Sequence, residues 1–67
     1  MINMMIINGH RATITYDDEI GLFRGEFTGL NGGADFYAAD VETLRREGEI
    51  SLSEFLTICQ ERGIKPY

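Results

Sequence analysis

The clearest signal in the chain is a change of period near its middle. Between His10 and Tyr16 the residues alternate, with Ala12, Ile14 and Tyr16 on one side and Arg11, Thr13 and Thr15 on the other. Period two with β-branched residues predicts a half-buried strand. The apolar run Met4–Ile7 precedes it, and Gly9 offers a bend or bulge, giving a first strand over about residues 4–16. Asp17-Asp18-Glu19-Ile20-Gly21 predicts a hairpin loop, because acids and glycine favour turns. A second strand follows over about 22–28, with Phe23, Gly25 and Phe27 facing one way and Leu22, Arg24, Glu26 and Thr28 the other. Gly25, between two phenylalanines, leaves room for a bulky neighbour such as a helix side chain. The turn Gly29–Gly33 leads to a third strand over about 34–38, with Phe36 opposite Asp35 and Tyr37.

From Asp40 the period becomes helical. Val41, Leu44, Gly48, Leu52, Phe55 and Cys59 keep one phase, Asp40 suits the N-cap, and Gly63 and Pro66 suit the end. The spacing predicts a helix over about 40–62. Gly48 stands where the stripe expects an apolar residue, and Ser51-Leu52-Ser53-Glu54 matches a capping box. A break into two helices is therefore the competing reading, although two helices have no reason to keep phase. The expected fold is one α+β domain over residues 1–67: a three-stranded antiparallel meander with one long helix packed on one face. Such a helix is about 35 Å long, against about 20–27 Å for the strands. Its overhang should offer Phe55, Leu56, Ile58 and Cys59 as a contact surface for another subunit.

Size strengthens that expectation, since 67 residues lie near the lower limit for a core that folds alone. With one cysteine and one histidine, neither an intrachain disulfide nor a zinc site is expected. A lone thiol without a secretory leader suggests the cytoplasm, and Met1–Ile7 is far short of the roughly 20 residues that span a bilayer. Eleven Asp and Glu against six Lys and Arg give a net charge of −5. That balance argues against direct nucleic-acid binding and suits a basic partner.

The carboxylates Asp17, Asp18, Glu19, Glu26 and Asp35 are the candidate chemistry. A two-metal nuclease needs several acids converging at one point, and no spacing here fixes such a point, although Glu26 and Asp35 fall on one side. A weak metal-dependent nuclease is kept as an alternative, but no catalytic residue, metal site or cofactor is assigned. His10 has no neighbouring nucleophile, Gly29–Gly33 lacks the Lys-Ser/Thr of a phosphate loop, and Cys59 lies on the apolar stripe. The five acids are better suited to complementing Lys and Arg of a partner.

Taken in order, these landmarks form a pattern. Ala12-Thr13-Ile14-Thr15-Tyr16-Asp17, followed by Phe23-Arg24-Gly25-Glu26-Phe27-Thr28-Gly29-Leu30, resembles the paired-strand signature of HicB antitoxins. Phe36 and Ala38 with Asp40-Val41-Glu42-Thr43-Leu44 resemble the third strand and helix start. Leu52, Phe55-Leu56, Cys59-Gln60-Glu61-Arg62-Gly63 and Lys65-Pro66 fit the family's helix end. The resemblance implies a partial ribonuclease-H-like domain that neutralises a HicA-like toxin, a small basic ribonuclease, by covering its active site. Many members also carry a DNA-binding module after this domain, which has no counterpart in these 67 residues. Gly48 departs from the bulkier residue usual there. A self-associating structural protein without a toxin is the other expectation.

Overall fold

Asn8 and Gly9 both adopt positive φ, 49° and 81°, and turn the chain back on itself. Two consecutive left-handed residues make the tight turn whose twist matches that of a β-hairpin. The computed structural model describes residues 3–32 and 34–67. Met1, Ile2 and Gly33, which belong to the opening apolar run and the second expected turn, lie outside the described residues. The expected first strand is in fact two, β1 (Asn3–Ile7) and β2 (His10–Asp17), paired antiparallel with Ile7 opposite His10 and Asn3 opposite Ile14. This corrects the three-stranded expectation.

Strands β3 (Leu22–Phe27) and β4 (Asp35–Ala38) complete an antiparallel sheet in the order β1-β2-β3-β4. The molecule is α+β, with one helix, α1 (Val41–Arg62), across one face of that sheet. The helix runs unbroken through Gly48, so the two-helix alternative does not hold, and Ser51 lies inside it rather than at a cap. Asp40 caps its start: the Thr43 N–H donates to Asp40 Oδ1 at 2.7 Å and the Thr43 hydroxyl to Oδ2 at 3.0 Å. Gly63 closes the other end in the left-handed conformation, its N–H meeting the Cys59 and Gln60 carbonyls.

The core lies between sheet and helix. Met5 and Ile7 from β1, Ala12 and Ile14 from β2, Phe27 from β3 and Phe36 and Ala38 from β4 bury against Leu44 and Leu52. The helical stripe meets this core at Leu44, Gly48, Leu52 and Cys59, while Val41 at the first turn stays exposed. Tyr16, expected on the covered side, is also exposed and packs edge-on to Phe23 at 4.9 Å between centroids. The room at Gly25 is taken by its cross-strand partner Phe36, not by a helix side chain as expected: a methyl added there would press on the Phe36 ring.

The expected overhang of α1 is partly filled by the chain itself. Phe55 and Leu56 are half-buried against the core, Cys59 is buried, and Gly32 of the β3–β4 loop lies against the Phe55 ring. Residues after the helix return along the same end. The Asn31 N–H donates to the Pro66 carbonyl at 2.7 Å, and the Tyr67 hydroxyl lies 2.8 Å from His10 Nε2 with the two rings stacked. Among the described residues no helix is long and apolar enough to cross a membrane.

Candidate functional site

A helix on one side leaves the other face of the sheet open. By strand alternation this face carries Met4 and Ile6 from β1, Arg11, Thr13 and Thr15 from β2, Arg24 and Glu26 from β3, and Asp35 and Tyr37 from β4. The polar residues there match the sequence reading except Thr28, which falls just after β3 and donates from its N–H to the Arg11 carbonyl. Met4 and Ile6 were not placed on that face from the sequence, because β1 had not been separated from β2. Both are more than half exposed, at 57% and 54%.

The five expected partner-binding acids fall into two groups. Glu26 and Asp35 are directly opposed across β3 and β4. Like charges facing each other on adjacent strands repel. Arg24, one row further along the same face, relieves this by reaching both: its Nη2 lies 2.9 Å from Asp35 Oδ2 and 3.3 Å from Glu26 Oε2. The hydrogen bond to Asp35, then that carboxylate's charge, holds the guanidinium even more firmly protonated than an ordinary arginine. These two acids are therefore brought together, but around a cation supplied by the chain.

Asp17, Asp18 and Glu19 sit at the other end of β3, in and beside the β2–β3 turn. Glu26 is four residues from Leu22, about 13 Å along an extended strand. Asp17 is occupied in shaping the turn: its Oδ1 accepts from the Glu19 N–H at 3.0 Å and its carbonyl from the Gly21 N–H at 2.9 Å. Asp18 and Glu19 are exposed to solvent. The five residues thus do not form one continuous patch. Among the described residues no three His, Cys, Asp or Glu side chains come together to hold a metal ion.

Of the expected subunit contacts, Phe55 and Leu56 pack mainly inward, and Ile58 is the one left well exposed, at 49%. The sequence reading missed a groove between the outer edge of β4 and α1. Its larger part, about 400 Å³, is lined by Asp35, Phe36 and Tyr37 and by Glu47, Ile50, Ser51 and Glu54 of the helix. A smaller part continues past Phe55 to Ile58. The available signal was the helical spacing of Glu47, Ile50, Ser51, Glu54 and Ile58, which marks a second face beside the buried stripe.

Comparison with known proteins adds no relative: no protein-family model matches the chain, and neither a curated protein nor a solved structure does so.

Proposed function

We propose that the chain is an antitoxin-type binding module of the HicB kind, which neutralises a small basic ribonuclease like HicA by covering its active site. The observation that carries this reading is the one-sided layer: α1 covers one face of a short sheet and leaves a polar face and an acidic turn free to meet another molecule. The run β2-β3-β4-α1 has the β-β-β-α order that the resemblance implies for a partial ribonuclease-H-like domain. Its motifs follow in the expected sequence from Ala12 to Pro66. The net charge of −5 complements a basic target and speeds its approach. In this reading the protein works in the cytoplasm, where the single thiol of Cys59 stays reduced.

The test is co-expression with a candidate HicA-type ribonuclease. Relief of growth arrest together with co-purification of the two proteins is the expected result. Persistent arrest by a toxin that never co-purifies with this chain would refute it. A second reading, self-association without a toxin, draws on the exposure of Ile58 beside the half-buried Phe55 and Leu56. A monomer in sedimentation at micromolar concentration would exclude that reading, which requires an oligomer of the chain alone.

A further inference from the structure

We infer that the outer edge of β4 and the adjoining face of α1 form a docking groove for an extended, basic segment of a partner protein, which adds to the sheet as a fifth strand. The backbone supplies the first half of the argument. Phe27 N–H donates to the Ala34 carbonyl, so Ala34, Phe36 and Ala38 direct their backbone groups toward β3. Asp35 and Tyr37, the alternate residues, direct N–H and C=O away from it, toward the free edge. Unpaired edge groups are a template for strand addition.

The two edges of the sheet are not equivalent. At β1 the Arg45 Nη1 donates to the Ile6 carbonyl at 2.9 Å, so a helix side chain occupies that edge. At β4, although α1 packs close beside the strand, no helix side chain among the described residues bonds the edge backbone, and a groove lies between the two. The walls supply the second half of the argument, because the helix side carries two carboxylates, of Glu47 and Glu54, and no base, while the Asp35 carboxylate is held by Arg24 on the open face. Ile50 and Ile58, exposed by 48% and 49%, lie on the same helix face and suit the aliphatic stems of Lys or Arg. Glu47 and Glu54 are two turns apart, about 10.5 Å. Basic side chains at alternate positions of a five-residue strand span about 13 Å, enough to bracket both.

Charge also selects among occupants. Two copies of this chain pairing β4 to β4 about a twofold axis would set the acids of one groove against the same acids of the other. A basic strand meets no such repulsion. The inference goes beyond the ribonuclease reading, since the groove would take such a segment whatever protein carried it.

The experiment titrates the isotopically labelled full chain with the synthetic peptide Arg-Val-Arg-Val-Arg, blocked at both ends, and follows backbone amides by NMR. The expected result is saturable perturbation centred on the Asp35 and Tyr37 amides, with slowed hydrogen exchange at both. The peptide Glu-Val-Glu-Val-Glu should give none. The double variant E47K/E54K, at exposed helix positions and checked for fold by circular dichroism, should bind about five- to tenfold more weakly. Silence at Asp35 and Tyr37, equal response to the acidic peptide, or unchanged affinity in the double variant overturns the inference. Concentration-dependent shifts of the same amides without peptide would assign the edge to a second copy and overturn it equally.

Discussion

Gly48 of the helix lies directly over the side chain of Ile7 in the edge strand β1, so close that a methyl group on Gly48 would collide with Ile7 Cδ1. The same methyl would stand 2.9 Å from Phe36 Cε2, on the far strand of the sheet. One residue without a side chain therefore sets how near α1 approaches two strands at once. Ile7 is fully buried and Phe36 nearly so, which leaves neither much freedom to move aside.

Replacing Gly48 by alanine opposes two effects. Helix propensity favours alanine by about 1 kcal/mol. Overpacking costs about 1–3 kcal/mol in a close-packed core. With the collision set against buried groups, overpacking should win, and G48A should be destabilised by about 1 kcal/mol in urea unfolding. I7V removes the colliding methyl and alone costs about 1 kcal/mol. The double variant should be destabilised by less than the two single changes together, because the sites share one space. Strict additivity would mean that the contact does not set the spacing.

The same contacts explain what could be read from the sequence and what could not. The helix was legible from end to end because Asp40, the stripe and Gly63 are local signals, and the phase through Gly48 kept it whole. The count of strands was not. The buried residues are odd-numbered in β1, Met5 and Ile7, and even-numbered in β2, Ala12 and Ile14. Such a switch of face fits either a bulge or a hairpin, and Asn8-Gly9 was the signal for the second. Gly25 was recognised as space, but the identity of its filler depends on cross-strand register, which periodicity does not fix. For the acids, residue type was legible and grouping was not, since Glu26 and Asp35 meet only through the pairing of β3 with β4.

Asp40 gives the fold a pH dependence of known sign. Hydrogen bonding from the Thr43 N–H, then from its hydroxyl, lowers the Asp40 carboxyl below its ordinary value of 3.8. A group whose folded pKa is depressed stabilises fully above the unfolded value and loses that contribution as pH falls through the folded one. The melting temperature should therefore fall as pH drops from about 5 to 2, in part through this cap. D40N retains an acceptor for the Thr43 N–H and should show a shallower decline, while D40A should melt lower already at neutral pH. Identical pH profiles for the wild type and D40N would assign the acid sensitivity elsewhere.

The two groups of acids should differ in how strongly they steer a basic partner. Asp18 and Glu19 stand free at the turn, whereas Glu26 and Asp35 already face Arg24. D18K/E19K should slow association with a basic ribonuclease by about three- to tenfold at low salt, with the difference fading as salt screens it. E26Q/D35N removes two carboxylates that Arg24 balances by half, and should slow it less than the charge-matched D18N/E19Q. Stopped-flow association rates at two ionic strengths decide the matter, and a larger effect from E26Q/D35N would reverse the assignment.

Arg45 is the side chain that closes the β1 edge. Met4 and Ile6 direct their backbone groups outward there, by the same alternation that leaves Asp35 and Tyr37 open on β4. Both residues also expose apolar side chains, so this edge combines free hydrogen-bonding groups with apolar surface, the combination that favours edge-to-edge pairing. The hydrogen bond from Arg45 Nη1 to the Ile6 carbonyl lies across it. R45A should leave the helix intact, since position 45 is exposed and alanine is a good helix former. It should also raise self-association, seen as a concentration-dependent rise in sedimentation coefficient that R45K only partly produces, because a lysine can still donate to Ile6. Unaltered sedimentation of R45A across the accessible concentration range would show that the edge is protected by other means.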